Sequence, residues 1–375
     1  MQLYSLSLLY KLERGGDSIA SNWLAFSSLP TDKTGNYYIK AHFAERTNRL
    51  DAPEVSLVTQ CSPNHLHNLV HLAERWEGPI SVAVFITADH MDAAHELIID
   101  FRECFSKLKS FATFHTVYPS NSLSPAGGFT YPPNRRHRLQ CRELLKQAKT
   151  MSGINYGLVN IPYPNNLLRN VARLNSRTSH VLVIDADMLP NRNLHQQIIK
   201  LGLSQLSERT VYVLPAFELV DDETVPETKS ELSELVKRQK ARPFYMERCW
   251  KCHKHTDYDR WFSLVNRNPN DLHPAYEVYW KDAYEPFYLS SNEVPPYDER
   301  FKQYGFNRIS QVCELHVAGY AFVVFDEAFV VHRGFKVKER FHSSKDAENA
   351  RNKILFQTMR QELKSKYPKS ARTCN

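Results

Sequence analysis

The stretch "VSLVTQCSPNHLHNLVHLAERWEGPISVAVFIT", residues 55–87, decides the fold. Its first seven and last ten residues are short apolar runs rich in β-branched side chains, which are typical of buried strands. Between them, apolar residues recur at helical spacing, and Ser62 and Pro63 are suited to begin a helix as N-cap and first residue. The stretch therefore predicts a strand, a helix and a second strand.

The same alternation continues along the chain. "DHMDAAHELIIDFRECF" (residues 89–105) predicts a second helix, and "FATFHTVYP" (residues 111–119) predicts a third strand. Later apolar runs predict further strands, among them "TVYVLPAFEL" (residues 210–219). Strands that alternate with helices indicate an α/β fold with a mixed, mostly parallel central sheet flanked by helices.

Length and composition exclude several classes of protein. The chain has 375 residues, of which 42% are hydrophobic and 24% charged, as in ordinary globular proteins. The net charge of +7 is spread along the chain, whereas a nucleic-acid-binding protein usually has a concentrated basic stripe. The sequence contains no apolar run of about 18 residues, so we expect no membrane span in this chain.

Two carboxylates follow a buried run in "TSHVLVIDADMLPN", residues 178–191. In a strand, Asp185 and Asp187 would point to the same side, with Ala186 between them. Two adjacent like charges are costly unless a cation lies between them, and carboxylates suit Mg²⁺ or Mn²⁺ bound to phosphate. His332, at the end of another apolar run, is a candidate third ligand that favours Mn²⁺. The alternatives are a surface turn and a structural histidine.

Five longer segments resemble glycosyltransferase family 49, and the resemblance runs from about Val55 to the C-terminus. These segments are "ERWEGPISVAVF" (74–85), "YPNNLLRNVAR" (163–173), "VLVIDADMLP" (181–190), "YDERFKQYGFNRISQVCELHVAGY" (297–320) and "FVVHRGFK" (329–336). The resemblance implies a GT-A fold and an inverting, Mn²⁺-dependent transfer of glucuronic acid from UDP-glucuronate. It also implies that Asp185, Asp187 and His332 bind the metal.

The family's activity implies an acceptor and a compartment. The acceptor would be β-xylose on the O-mannosyl glycan of α-dystroglycan, joined by a β1,4 linkage that primes matriglycan synthesis, and LARGE-type transferases are possible partners. The enzyme would be a Golgi type II membrane protein whose anchor is not in this sequence. We interpret residues 1–54 as an N-terminal extension and residues 55–375 as one GT-A domain. Its nucleotide-sugar half is 55–220, and its aromatic-rich acceptor half, with the C-terminal helix, is 221–375.

A set of residues near the predicted strand ends is expected to bind the donor: Gln60, Asp89, Asn170, Arg173, Asp185, Ala186 and Asp187. Asn170 and Arg173 lie one helical turn apart, and the alternative for this pair is an exposed helix face. A glucuronate carboxylate favours a bidentate arginine. The candidates for that partner are Arg173, Arg300 and Arg308.

Inversion requires one carboxylate to deprotonate the acceptor hydroxyl. Asp298, Glu299 and Glu314 are the candidates, with Asp298 favoured; the alternative is that they form local ion pairs with Arg300 or Arg308. In "YWKDAYEPFY", residues 279–288, two aromatics could stack on the acceptor and two carboxylates could accept its hydrogen bonds. The aromatics are Trp280 and Tyr284, which could equally be core residues, and the carboxylates are Asp282 and Glu285.

The segment "CWKCHKH", residues 249–255, has the spacing of a c-type haem attachment and of half a zinc site. No second Cys-x-x-Cys occurs, so a disulfide between these cysteines, or with distant ones, is the simpler interpretation. Two functional alternatives stay open beside the glucuronyltransferase. One is a relative that uses UDP-xylose or UDP-N-acetylglucosamine, and the other is a glycan-binding protein without turnover.

Overall fold

The computed structural model describes residues 29–48, 54–87, 90–120, 141–150, 162–265, 268, 270–337 and 344–374. Their strands form two sheets. In chain order the strands are β1 (Tyr37–Ala44), β2 (Val55–Cys61), β3 (Ile80–Phe85), β4 (Ala112–Pro119), β5 (His180–Val183), β6 (Met188–Pro190), β7 (Thr210–Leu214), β8 (Ala216–Leu219), β9 (Ala241–Pro243), β10 (Pro274–Val278), β11 (Phe287–Ser291), β12 (Ala321–Phe325) and β13 (Val330–Arg333).

Helices cover the faces of the larger sheet and connect its strands. They are α1 (Asn68–Trp76), α2 (Met91–Cys104), α3 (Ser106–Phe111), α4 (Cys141–Thr150), α5 (Asn165–Leu174), α6 (Leu194–Leu201), α7 (Lys229–Lys237), α8 (Trp250–His253), α9 (Tyr258–Ser263), α10 (Asn307–Val317) and α11 (Lys345–Lys366). None of these described helices has the length and apolarity needed to cross a membrane.

The larger sheet has the strand order β1-β4-β3-β2-β5-β11-β7-β12-β10. Strands β2, β3, β4, β5, β7 and β12 run in one direction, and β1, β10 and β11 run in the other. The predicted mixed, mostly parallel sheet is therefore confirmed. From β2 the chain adds β3 and β4 on one side and then returns to β5 on the other. In α/β sheets, ligands bind at the carboxyl ends of strands at such a switch point.

The smaller sheet has the order β6-β13-β8-β9. The predicted single strand 210–219 is two strands, since Pro215, which has no N–H for a ladder, separates β7 in one sheet from β8 in the other. β12 and β13 divide between the sheets in the same way and run parallel to β7 and β8. Because β13 also pairs with β6, His332 lies opposite Met188, next to Asp187.

The predicted halves of the chain share the larger sheet. β11 comes from the 221–375 half and lies between β5 and β7 of the 55–220 half. β1, inside the predicted N-terminal extension, pairs with β4 at the sheet edge. The described part of the extension therefore contributes a strand to the fold.

Two predicted helices differ from the structure in detail. Residues 63–65 form a short 3₁₀ turn before α1, and the Ser62 side chain makes no cap hydrogen bond. In α11, the predicted C-terminal helix, the apolar residues do not all lie on the buried face, since Ile354 is 67% exposed. The buried face instead includes Asn352, whose amide donates to the carbonyls of Lys302, Tyr304 and Gly305. The helix thus packs partly on a polar loop.

Candidate active site

A cleft of about 930 Å³ opens at the carboxyl ends of β2 and β5, where the sheet order reverses. We call it the cleft. Its walls come from seven segments, namely 60–68, 163–169, 185–187, 245–252, 282–285, 303–309 and 348–360. Residues from both predicted halves of the chain, 55–220 and 221–375, contribute to these walls.

Asp185 and Asp187 line the cleft from the turn between β5 and β6. The prediction that they extend a strand was wrong, because β5 ends at Val183 and the Met188 N–H closes a turn onto the Asp185 carbonyl. Since the residues lie in a turn, their side chains are not fixed on one side. The two carboxylates have different partners.

Asp185 is held by two arginines. Its oxygens accept hydrogen bonds from Arg169 at 3.0 Å and from Arg308 at 2.5 Å. Arg169 is fixed in turn by Asn166 and Asn307, each at 2.9 Å. Burial acts to raise the pKa of Asp185, but the two guanidinium groups outweigh it and lower the pKa. The carboxylate stays ionised and anchors two buried cationic groups.

Asp187 faces His332 instead. Its Oδ2 lies 3.1 Å from His332 Nε2 and 3.5 Å from Lys336 Nζ. His332 Nδ1 lies 2.9 Å from the Gly334 carbonyl, which can only accept, so Nδ1 carries a proton. In the neutral ring, Nε2 then presents a lone pair to the carboxylate. Two electron-pair donors at this distance suit a shared cation or proton.

The residues therefore fit part of the predicted Mn²⁺ site. Asp187 and His332 supply one carboxylate and one imidazole, both accepted by Mn²⁺. Asp185 is occupied by its arginines, and among the described residues no group of three potential ligands gathers at one point. A hard cation with one or two protein carboxylates usually takes its other ligands from substrate phosphates and water.

The remaining predicted donor contacts have three different outcomes. Gln60 and Ala186 line the cleft, and the Tyr163 hydroxyl donates to Gln60 Oε1. Asp89 lies outside the described residues.

The structure does not bring Asn170 and Arg173 into the cleft. Both are buried and bind the segment 295–299. Asn170 pairs with the Tyr297 backbone and with Glu299, and Arg173 donates to the Pro295 carbonyl. Of the three arginines proposed for the glucuronate carboxylate, only Arg308 lines the cleft among the described residues.

The three predicted bases also lie outside the described lining of the cleft. Asp298 forms hydrogen bonds with Arg300 at 2.6–3.0 Å, and Arg300 also pairs with Glu362. Glu299 accepts from Asn170. Glu314 is buried and accepts from Lys366 and Tyr367. Only the Asp298–Arg300 pair is the ion pair that the sequence left open as the alternative. Glu299 and Glu314 are paired with other residues.

Glu285, which the sequence suggested only as an acceptor contact, lines the cleft with Asp282. Burial raises the pKa of Glu285 to about 7, against the opposing charge of Arg308. The predicted stacking residues do not present faces to the cleft. Tyr284 is fully buried and Trp280 stacks on His316 at 4.6 Å.

The Cys-x-x-Cys segment forms a disulfide between Cys249 and Cys252, and both cysteines line the cleft. Their sulfurs are therefore not available as zinc ligands or for haem attachment. Further disulfides join Cys104 to Cys141 and Cys313 to Cys374, and Cys61 is a buried free thiol.

Comparison with known proteins shows the family to which the chain belongs. A family model described as "Glycosyl-transferase for dystroglycan" matches residues 54–368. The chain belongs to this glycosyltransferase family. It is 41% identical over 330 residues to beta-1,4-glucuronyltransferase 1 of Danio rerio, covering 85% of this chain and 75% of that protein. It is 28% identical over 286 residues to xylosyl- and glucuronyltransferase LARGE2 of Rattus norvegicus, covering 74% of this chain and 34% of that protein.

The expected α/β fold of this family member, with a large mixed sheet flanked by helices, is confirmed. Among solved structures, GalNAc-T7 with UDP, GalNAc and Mn²⁺ matches with a TM-score of 0.39 and 9% identity, over 82% of this chain and 48% of that chain. A likeness at this level says nothing about the ligands of this glycosyltransferase.

Proposed function

We propose that the chain is an inverting, Mn²⁺-dependent transferase of glucuronic acid from UDP-glucuronate to a β-xylose acceptor through a β1,4 linkage. The observation that carries the proposal is the cleft itself. Asp187, which faces His332, lies in the same cleft as Arg308 and Glu285. These groups suit a diphosphate, a sugar carboxylate and an acceptor hydroxyl respectively.

The donor end of the cleft favours an anionic nucleotide sugar. Asp187 and His332 would hold Mn²⁺, which when bound supplies positive charge to the leaving diphosphate. Arg169 and Arg308 share one carboxylate, Asp185, so this cluster has a net positive charge. UDP-glucuronate has a carboxylate that UDP-xylose lacks, and the planar fork of Arg308 is suited to bind it.

Glu285 is the base in this proposal. A general base works best when its pKa is near the operating pH, and Glu285 meets this condition through burial. Four other carboxylates line the described cleft. Asp185 is paired with two arginines, and Asp187 lies near Lys336. Glu348 accepts from the Tyr304 backbone, and Asp282 is exposed.

The reaction is a single displacement. Glu285 takes the proton of the acceptor hydroxyl, and the hydroxyl oxygen forms a bond to the anomeric carbon of the sugar. The bond from that carbon to the diphosphate oxygen breaks, and its electron pair leaves with UDP. One displacement inverts the anomeric configuration.

The family of the chain supports a proposed acceptor, and its disulfides support a proposed compartment. We propose the xylose-terminated O-mannosyl glycan of α-dystroglycan as acceptor, where the product would prime matriglycan for extension by LARGE-type partners. We propose the Golgi lumen as the compartment. Three disulfides among the described residues suit that oxidising environment.

A donor screen tests the proposal. The purified chain is incubated with Mn²⁺, an aryl β-xyloside and radiolabelled UDP-glucuronate, UDP-xylose or UDP-N-acetylglucosamine in separate reactions. Transfer from UDP-glucuronate alone is expected. Transfer only from another donor would show a relative with a different sugar. UDP binding without transfer from any donor would show a glycan-binding protein without turnover.

A further inference from the structure

The segment 249–253, "CWKCH", contacts Glu285 from two directions. The Glu285 backbone N–H donates to the Cys252 carbonyl at 2.9 Å. The Glu285 carboxylate lies 3.9 Å from His253 Nε2. The main chain and the side chain of the proposed base therefore both face one short segment.

The His253 ring is fixed and directed at Glu285. The residue is 2% exposed, and its ring packs against the rings of Phe287, Phe244 and Tyr245 at 5.2–6.3 Å. Nε2 is buried and makes no hydrogen bond to any described residue, and the Glu285 carboxylate at 3.9 Å lies just beyond hydrogen-bond distance. Leaving a buried donor unpaired is costly, and catalytic hydrogen bonds are often long before substrate binds. Glu285 is the group that this nitrogen can pair with.

The disulfide fixes the other contact. Cys249 and Cys252 close a loop of a single helical turn, α8, and the Cys252 N–H also donates to the Cys249 carbonyl at 2.8 Å. A short covalent loop limits how far the Cys252 carbonyl can move. Since that carbonyl holds the Glu285 backbone, the disulfide restrains the position of Glu285.

We propose that the segment 249–253 is a positioning device for the base. In it, His253 is a positioning residue whose Nε2–H donates to the Glu285 carboxylate, and the Cys249–Cys252 disulfide fixes the Glu285 backbone. This inference rests on the proposed function, in which Glu285 is the base. It gives a role to a motif that neither metal binding nor haem attachment explains.

Burial, more than the surrounding charges, keeps His253 neutral. Burial, with the nearby charge of Arg308, lowers the pKa of His253 to about 3, so the ring acts as a hydrogen-bond donor and not as a cation. The charged groups that act on Glu285 from the surrounding elements are Arg308 of α10, Arg169 of α5, Asp185 of the β5–β6 turn and Arg248. Removing the His253 donor leaves these charges in place.

His253→Phe tests the hydrogen-bond donor separately from the packing of the ring, because phenylalanine keeps an aromatic ring and lacks the N–H. We expect kcat to fall about 10- to 100-fold, the loss of one hydrogen bond to a charged group. The acidic limb of the kcat/KM profile should move to higher pH, because ionised Glu285 loses a donor. The melting temperature and the affinity for UDP with Mn²⁺ should stay near wild type. His255→Phe, in the same motif beside Tyr284, is the matched control and should keep wild-type kinetics.

Two further variants keep the test decisive. His253→Asn retains a side-chain N–H and should recover part of the lost kcat. The double variant Cys249→Ser, Cys252→Ser should lower kcat without weakening UDP binding, and it carries the test if His253→Phe does not fold. Wild-type kcat and pH profile in folded His253→Phe, or in the serine variant if that one is needed, would overturn the inference. Glu285→Gln distinguishes this result from failure of the proposed function, since full activity in that variant would show that Glu285 is not the base.

Discussion

The carboxylates of Asp185 and Asp187, one residue apart, have different partners. Asp185 accepts from Arg308 at 2.5 Å, whereas Asp187 Oδ2 lies 3.1 Å from His332 Nε2. A turn between β5 and β6 allows this divergence. We infer that Asp185 mainly holds the arginines of the cleft in place and that Asp187 is the metal ligand of the pair. The two residues should therefore respond differently to the same substitution.

Asp185→Asn should destabilise the fold. It leaves Arg169 and Arg308 without their carboxylate, and their side chains are only 4% and 8% exposed. We expect a loss of about 1–3 kcal/mol of unfolding free energy at pH 7, less than for a fully buried pair because Asp185 is one-third exposed. Because the folded-state pKa of Asp185 is lowered, this contribution should fade as the pH falls below the ordinary range of a carboxyl. Urea unfolding at pH 7 and at acidic pH measures both effects, and equal losses at the two pH values would contradict the assignment.

Glu285→Gln should abolish transfer while the donor still binds. A positioned general base usually contributes about 10²- to 10⁴-fold in rate, so we expect kcat to fall by that factor. In the wild type, kcat/KM should rise as the pH passes about 7, where Glu285 loses its proton. Asp298→Asn is the control, because that carboxylate is paired with Arg300 and should not affect the chemistry. Loss of transfer in Asp298→Asn with full activity in Glu285→Gln would restore Asp298 as the base.

The redox state of the cysteines provides a test of the proposed lumenal compartment. The chain has 7 cysteines, of which six are paired in the structure and Cys61 is free. Chain recovered from the secretory pathway, denatured without reductant and treated with a maleimide, should add one label by mass spectrometry. Chain expressed in a reducing cytosol is the control and should add a label at every cysteine. Several labels on the secretory material would contradict a lumenal enzyme with this disulfide pattern.

Glu327 should limit stability at high pH. Burial raises its pKa to about 7, although Lys229 opposes the shift. A raised pKa means that the folded state holds the proton more tightly, so stability is greatest below about pH 4.5 and is lost as the pH rises through 7. Glu327→Gln should therefore be more stable than wild type at pH 8, by about 1–2 kcal/mol after solvent screening and the lost attraction to Lys229 are discounted, and equal to it at pH 4. Thermal unfolding at both pH values tests this, with exposed Glu277→Gln as control; a lower melting temperature for Glu327→Gln at pH 8 would show that Glu327 is a stabilising ionised partner.

The strands next to the cleft could be predicted from the sequence because their signals are local. Val55–Cys61 and Ile80–Phe85 are wholly buried, so each reads as an apolar run. The order of the strands within the sheet could not be predicted from local signals. β11 lies far along the chain, yet it pairs with β5 in the sheet. The apolar run 210–219 is divided at Pro215 between the two sheets.

The candidate site could be predicted in part. Asp187 and His332 stand out because each follows an apolar run, and the structure brings them together. Asn170 looked like a ligand contact, yet it binds a loop more than a hundred residues away in sequence. Glu285 could not be singled out as a base, because its raised pKa depends on burial and on charges from several separate elements. Such dependence has no local pattern in sequence.

Calorimetry of UDP binding with and without Mn²⁺, in wild type and in Asp187→Asn, tests the central claim most directly. That claim is that Asp187 and His332 bind a cation that holds the donor diphosphate. The account predicts that Mn²⁺ strengthens UDP binding to the wild type and that Asp187→Asn loses this gain and its activity. The variant should unfold near the wild-type temperature, because the ion pairs of a side chain that is 45% exposed contribute little to stability. Wild-type affinity for UDP that does not change with Mn²⁺, or the same Mn²⁺ gain in Asp187→Asn, would contradict it.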